Sequence, residues 1–234
     1  MIGTLVNTLA VICGSVAGLF LKKGIPERIT DAVMASIGLC TLMIGILGLS
    51  DEANTLVVIF SMVLGTALGT LLDLAGRLAA LGSALERRVP SQGGTVSPAQ
   101  GFVTGSLLFC IGSMTITGSL TAGLTGDCSL IYAKSLLDLI SSFILAMSLG
   151  IGVLFSAAFV LVFQGALVLL AGVLAPVLTA AAIADMTTVG SLLVLALGLN
   201  LLHIADLRTT NLLPAVFLSP LITAVAALLS RLFS

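Results

Sequence analysis

The residues of this sequence that could do chemistry lie in one apolar stretch near its centre. Lys134, Asp138 and Ser141 are spaced at i, i+4 and i+7, so they share one face of a helix, and Ser142 lies beside them. Lys134 and Asp138 can pair with each other, and Asp127 precedes the same stretch. Ionised groups in such apolar surroundings predict either a functional site or a structural ion pair near the boundary of the membrane.

A second polar cluster stands just before this stretch, in the segment GFVTGSLLFCIGSMTITGSLTAGLTGD. Its glycines and hydroxyls predict either a half-broken helix that lines a wet cavity or a helix that packs closely on its neighbours. The candidate solute ligands are Ser113, Thr115, Thr117 and Ser119. Gln164, in a later apolar segment, completes the candidate site, although amides such as Gln164, Asn7 and Asn200 also serve helix packing.

The composition excludes several classes of protein. Of the 234 residues, 59% are hydrophobic and 8% are charged, whereas soluble domains contain about 45–50% apolar and about 25% charged residues. A soluble globular protein, a disordered chain and a nucleic-acid binder, which needs a basic patch, are therefore excluded. Since the sequence shows no catalytic motif and no Cys/His cluster, we expect no enzyme, no metal site and no cofactor.

Long apolar runs predict an all-α polytopic membrane protein, because about 20 apolar residues cross a bilayer as a helix. We predict about eight transmembrane helices, with seven as the alternative because the fourth is the least regular. The predicted spans are 3–21, 30–49, 55–73, 101–124, 130–149, 152–174, 183–202 and 211–230.

We expect one transmembrane domain, 1–234, with four parts. These are a first three-helix unit (1–73), an amphipathic helix with a cytoplasmic connector (74–100), polar central helices (101–150) and a second three-helix unit (151–234).

Basic residues predict the orientation of these spans. Seven of them fall in loops on one side of the predicted bilayer, and the opposite side holds two, Lys134 and Arg231. Cytoplasmic loops carry an excess of Lys and Arg, so we expect both termini to lie outside the cytoplasm. The seven are Lys22, Lys23, Arg28, Arg77, Arg87, Arg88 and Arg208.

The two ends of the chain resemble each other. Residues 54–72 align without gaps with 211–229, and residues 37–49 align with 190–202. Spans 1–3 would then correspond to spans 6–8. A shift of five spans inverts the topology of the second copy, a plan typical of secondary transporters and also found in channels.

The central string GSLLFCIGSMTITGSLTAGLTGDCSLIYAKSLLDLISS (105–142), with FQG (163–165) and the ending GLNLL…NLLPA, resembles the YqgA/YdfK-like family of bacterial membrane proteins. The resemblance covers essentially the whole chain. It implies an integral protein of the bacterial inner membrane and no established substrate.

The leading hypothesis is a transporter or channel for a small ion or solute, with a pathway lined by spans 4 and 5. In this hypothesis the hydroxyls and Gln164 coordinate the solute, Asp138 binds a cation or proton, and Lys134 neutralises Asp138 when the site is empty. The alternative is a non-transporting membrane subunit or scaffold whose polar residues serve helix packing.

The expected partners are the lipid bilayer and the small ion or solute. Three Gly-x-x-x-Gly patterns are also compatible with a homodimer, because such patterns permit close helix approach. They are Gly14/Gly18, Gly65/Gly69 and Gly101/Gly105.

Overall fold

The computed structural model describes residues 1–21, 27–77, 80, 98–110 and 113–233, and no strand occurs in them. Most of the predicted amphipathic helix and connector lies outside the described residues. The helices are α1 (Ile2–Leu21), α2 (Glu27–Leu47), α3 (Thr55–Leu71), α4 (Pro98–Cys110), α5 (Ser113–Thr125), α6 (Ser129–Leu149), α7 (Gly152–Leu169), α8 (Ala171–Leu174), α9 (Ala180–Leu201) and α10 (Thr209–Phe233).

Five helices, namely α1, α6, α7, α9 and α10, are long and apolar enough to cross a membrane. The pair α4 and α5 adds a sixth if it counts as one span, bent by 58°. Two shorter apolar helices are Ala35–Leu47 within α2 and Thr55–Leu71, which is α3. The all-helical class is therefore confirmed with five or six candidate spans, and the eighth and seventh spans stay predictions.

The helices pack as two groups. In the first group α1 lies along α6 and α7, while α4 and α5 pack on α7. In the second group α2 packs on α9, and α3 packs on α10. The groups meet where α9 contacts α4 and α5, through a core that includes Leu107, Ile116, Val189 and Leu193.

Glycines allow several of these helices to approach to backbone contact. A Cβ atom at Gly14 would lie 2.2 Å from Ser142 Oγ and 2.3 Å from the carbonyl oxygen of Leu139, so α1 lies directly on α6. The other glycines of the Gly-x-x-x-Gly patterns also face a neighbouring helix of the same chain: Gly18, Gly65, Gly69, Gly101 and Gly105. These patterns are used within the chain and so give no support to a homodimer.

The contact between α2 and α9 is reciprocal. A Cβ at Gly45 would lie 2.7 Å from Leu195 Cγ, and a Cβ at Gly198 would lie 2.8 Å from Leu42 Cδ2. Each glycine therefore packs on the leucine three residues before the other glycine. This pairing makes α2 and α9 antiparallel, and the four residues occupy equivalent positions in the aligned segments 37–49 and 190–202.

We expect Gly14→Ala to lower the unfolding temperature of the purified protein in detergent. The added methyl group overlaps the Leu139 carbonyl and pushes α1 away from α6, and overpacking of this kind costs about 1–3 kcal/mol. Gly172→Ala is the matched control, since a Cβ there meets nothing within 4 Å and alanine favours a helix over glycine. Equal unfolding temperatures for the two variants would contradict the close packing of α1 on α6.

Candidate functional site

The two charges predicted inside a span lie on α6. This helix contains neither Gly nor Pro over its 21 residues, and it ends where Gly150 adopts a positive φ of 76°. Asp138 stands nine residues after the start of α6, about 13 Å along its axis and so close to its middle. Lys134 and Asp138 are 6% and 5% exposed and contact each other directly as an ion pair.

Two amides from neighbouring helices extend this ion pair. Asn7 Nδ2 of α1 donates to Asp138 Oδ2 at 3.1 Å and to Gln164 Oε1 of α7 at 3.1 Å. Both amide residues are fully buried. Lys134, Asp138, Asn7 and Gln164 thus form a continuous chain of polar contacts across three helices, which we call the polar network.

The polar network has unused hydrogen-bonding capacity. Asn7 Oδ1 and Gln164 Nε2 are buried and have no hydrogen-bond partner among the described residues. A buried polar atom without a partner costs about 1–3 kcal/mol, so most such atoms in folded proteins are paired with protein groups or water. One spare acceptor and one spare donor therefore stand beside a buried ion pair.

The junction between α4 and α5 lies beside the polar network. Cys110, the last residue of α4, is fully buried and lies within electrostatic range of Lys134 and Asp138. Thr115 Oγ1 donates to the carbonyl oxygen of Phe109 at 3.1 Å across the junction. A hydroxyl thus donates to a carbonyl at the bend between the two helices, where helical hydrogen bonds are commonly replaced.

The predicted hydroxyl cluster of span 4 is not gathered around one point. The hydroxyl of Thr115 is bonded to Phe109, and Thr117 is exposed. Ser119 is fully buried, and its hydroxyl has no partner among the described residues. The side chain of Ser113 lies outside the described residues. The polar network instead joins spans 1, 5 and 6. Of the two spans predicted to line the pathway, 4 and 5, only span 5 contributes residues to the polar network.

Among the described residues, the remaining predicted residues make no hydrogen bond with the polar network. Ser142 is buried against α1 and donates to the Leu139 carbonyl at 3.0 Å, while Ser141 is half-buried. Asp127 is exposed in the linker before α6. It accepts hydrogen bonds from the hydroxyl and the backbone N–H of Ser129, and these bonds hold the pKa of Asp127 below its usual value.

Sequence reasoning missed Asp185, a second buried acid. Asp185 is 1% exposed in α9, where Oδ1 accepts the backbone N–H of Asn54 at 2.6 Å and Oδ2 accepts the Thr223 hydroxyl at 2.7 Å. Asn54 caps the start of α3, so the carboxylate lies at the positive end of that helix dipole. Asp185 thereby ties α9 to α3 and α10. Asp185 lies near the predicted start of span 7, where charged residues are ordinary because the membrane boundary is close, so the sequence does not single it out.

A cavity of about 640 Å³ at the end of α9 is a weaker candidate for the functional site. Asn200 shapes its wall by bonding both the carbonyl and the N–H of Leu207, at 2.6 and 2.8 Å. The titratable groups that line it, His203, Asp206 and Arg208, are all exposed. Of the described residues that line this cavity, none has a buried polar atom without a partner. The polar network is therefore the better candidate.

We expect Lys134→Met to destabilise the protein by about 3–5 kcal/mol, because it leaves Asp138 as an unpaired buried charge. The double variant Lys134→Met/Asp138→Leu removes both charges and should recover most of this loss. Unfolding temperatures in detergent for both single variants and the double variant measure the coupling. A loss in the double variant equal to the sum of the single losses would show that the pair does not interact.

Comparisons with known proteins agree with the resemblance of the central segment. The family model described as "Protein of unknown function (DUF554)" matches residues 2–224. The chain is 32% identical over 229 residues to the "Uncharacterized membrane protein YdfK" of Bacillus subtilis (strain 168), with 96% of each chain covered. It is 34% identical over 222 residues to the "Uncharacterized protein YqgA" of Escherichia coli (strain K12), with 94% of each covered. No solved structure matches it significantly. The chain therefore belongs to the DUF554 family and is, like its relative YdfK, a membrane protein with several apolar helices.

Proposed function

We propose that this protein is a transporter for a small ion or solute in the bacterial inner membrane, and that the polar network is its binding site. The observation that carries the proposal is the pair of unpartnered atoms, Asn7 Oδ1 and Gln164 Nε2, beside a buried ion pair. Ionisable residues deep in a span are rare and commonly mark ion or substrate pathways. Asn7 Nδ2 already serves the ion pair, but Asn7 Oδ1 and Gln164 Nε2 bond nothing among the described residues and so offer a ligand further hydrogen bonds.

Helix directions favour an even number of crossings, and eight is the even number that includes α2 and α3. Gly14 lies against Leu139 and Gly18 against Phe143, so α1 and α6 run in the same direction. Two spans with the same direction are separated by an odd number of crossings. If α2 and α3 supply two of these, the bent pair α4–α5 supplies the third. The whole chain then crosses eight times.

Packing also supports the inverted repeat. If spans 1–3 correspond to spans 6–8, then α1, α2 and α3 each pack on their own counterpart, α7, α9 and α10. Gln164 follows Asn7 by 157 positions, the shift between residues 54 and 211, whereas the aligned segments 37–49 and 190–202 differ by 153. The two hydrogen-bonded amides would therefore fall at or near equivalent positions of the two copies. Binding sites of secondary transporters lie near the midplane at the interface of such repeats.

The proposed orientation places the seven basic residues in the cytoplasm and both termini outside. In this orientation the chain enters α6 from the outer side, and Lys134 lies one helical turn closer to the outside than Asp138. We propose no catalytic role, because the sequence offers no nucleophile with an adjacent base.

A membrane scaffold is the second candidate. It is favoured by the direct contact of Lys134 with Asp138, which needs no ligand. A scaffold gives no role to the unpartnered atoms Asn7 Oδ1 and Gln164 Nε2. For this reason we prefer transport.

We expect the purified protein in liposomes to move at least one member of a panel of monovalent ions, amino acids and short carboxylates. Asp138→Asn and Asn7→Ala should each reduce that flux at least tenfold, because they alter the proposed binding groups. Asp51→Asn, at an exposed carboxylate in the loop between α2 and α3, is the matched control and should transport normally. Unfolding temperatures in detergent establish that every variant is folded. Folded wild-type protein that moves no member of the panel would favour the scaffold.

A further inference from the structure

We infer that the transported species is a small monovalent cation, and that each cation bound at Asp138 is exchanged for one proton released from Lys134. This inference rests on the proposed function and names the substrate class of the same site. The juxtaposition that points to it is the buried Lys134–Asp138 pair with the side-chain oxygens of Asn7 and Gln164 next to it.

The helices packed around the polar network add no other side-chain charge, and the N-terminal amine belongs to Met1, whose side chain lies beside Gly165. The four helices that surround this part of α6, namely α1, α4, α5 and α7, contain no Asp, Glu, Lys or Arg in their sequences. The helix α2 also contacts α6, but its charged residues all fall within 27–31, ahead of the core position Ile37. The other titratable group that faces the pair is the Cys110 thiol of α4. The net charge of the site is therefore zero while Lys134 and Asp138 are paired.

A cation that binds Asp138 takes the position of the Lys134 ammonium. The displaced ammonium would then be an unpaired charge in a low-dielectric interior, where charged groups neutralise instead of persisting. Lysine can do so because its ammonium can lose a proton, whereas a guanidinium keeps its charge. With M⁺ for the cation, the step is Lys134–NH₃⁺···⁻OOC–Asp138 + M⁺ → Lys134–NH₂ + M⁺···⁻OOC–Asp138 + H⁺. One N–H bond breaks, its electron pair stays on Nζ, and the proton leaves to water.

The hydrogen bonds favour this direction over the binding of an anion at Lys134. An anion would require Asp138 to take up a proton, but Asp138 Oδ2 also accepts from Asn7 Nδ2, a donor that remains when the ammonium leaves. Among the described residues, Lys134 Nζ hydrogen-bonds only Asp138. Asp138 thus has a hydrogen-bond donor besides Lys134, whereas the described residues give Lys134 no second acceptor, so the proposal assigns the released proton to the lysine.

The ligands available next to Asp138 also suit a cation. Asn7 Nδ2 stands between Asp138 Oδ2 and Gln164 Oε1, at 3.1 Å from each. The oxygens next to the ion pair thus come from three helices, namely the Asp138 carboxylate, Gln164 Oε1 and the unpartnered Asn7 Oδ1. Oxygen ligands of this kind are the ones that small hard cations prefer.

The first test uses the wild-type protein in detergent, in weakly buffered solution with a pH indicator. Addition of LiCl, NaCl or KCl should release one proton per chain at saturation for at least one salt. N-methyl-D-glucamine chloride at the same ionic strength should release none. In liposomes, uptake of that cation should move no net charge and should be driven by an opposite pH gradient. Cation uptake that carries current, or cation binding without proton release, would overturn the inference.

Variants at position 134 separate this exchange from a merely structural role. Lys134→Arg keeps the charge but cannot release a proton, so proton release and exchange should both be lost. Lys134→Gln removes the internal cation, so uptake should become electrogenic and independent of the pH gradient. Asp138→Asn should bind no cation. Proton release by Lys134→Arg equal to that of the wild type would refute the assignment of the proton to Lys134.

The two proposals can fail separately. Flux of a panel member without proton release would leave transport standing and overturn the cation–proton exchange. If no solute moves, transport is wrong, and proton release in detergent then decides alone whether the cation site exists. If Lys134→Gln or Lys134→Arg does not fold, the stoichiometry and the charge movement of the wild type still decide the inference.

Discussion

Lys134 and Asp138 are charges that water would solvate far better than the interior of this helical bundle. An ionised carboxylate and an ammonium persist there only as partners, and even then the remaining lone pairs need donors. This requirement reaches beyond α6, because Asn7 supplies one of the donors from α1. Asn7 can do so because Gly14, two turns later on the same helix, lets α1 lie against the backbone of α6. The hydrogen bonding of the buried ion pair therefore depends on the close contact that Gly14 allows between α1 and α6.

The sequence predicts well whatever depends on neighbours along the chain. Apolar runs predict the helices, and the i, i+4 spacing predicts the contact of Lys134 with Asp138, which the structure contains. Contacts between helices depend on their relative register, and small residues such as Gly14 and Gly45 set that register from outside the polar segments. For this reason the sequence alone does not show that Asn7, an amide suited to helix packing, donates hydrogen bonds to both Asp138 and Gln164.

Hydroxyl groups gave the least reliable signal, for a local reason. Many Ser and Thr hydroxyls in these apolar helices donate a hydrogen bond to a carbonyl of the preceding turn, as Thr8 does to Thr4, Ser61 to Val57 and Ser135 to Ile131. A hydroxyl satisfied in this way says little about a ligand. The bend in span 4 adds a similar case, since Thr115 bonds Phe109 across it. Amides cannot satisfy all their atoms within one helix, so their unpaired atoms are more informative about a site.

The proposed inverted repeat also explains why the charges are found where they are. Two inverted copies would place equivalent groups on opposite sides of the midplane, and the hydrogen bond between Asn7 and Gln164 joins a helix of each proposed copy. Asp185 is a buried charge within the proposed second copy, where Asn54 and Thr223 bond it. The Lys134–Asp138 pair lies instead on α6, which would belong to neither copy. In this arrangement α6 would add one ion pair between two similar halves, so that the same Asp138 could serve a pathway from either side of the membrane.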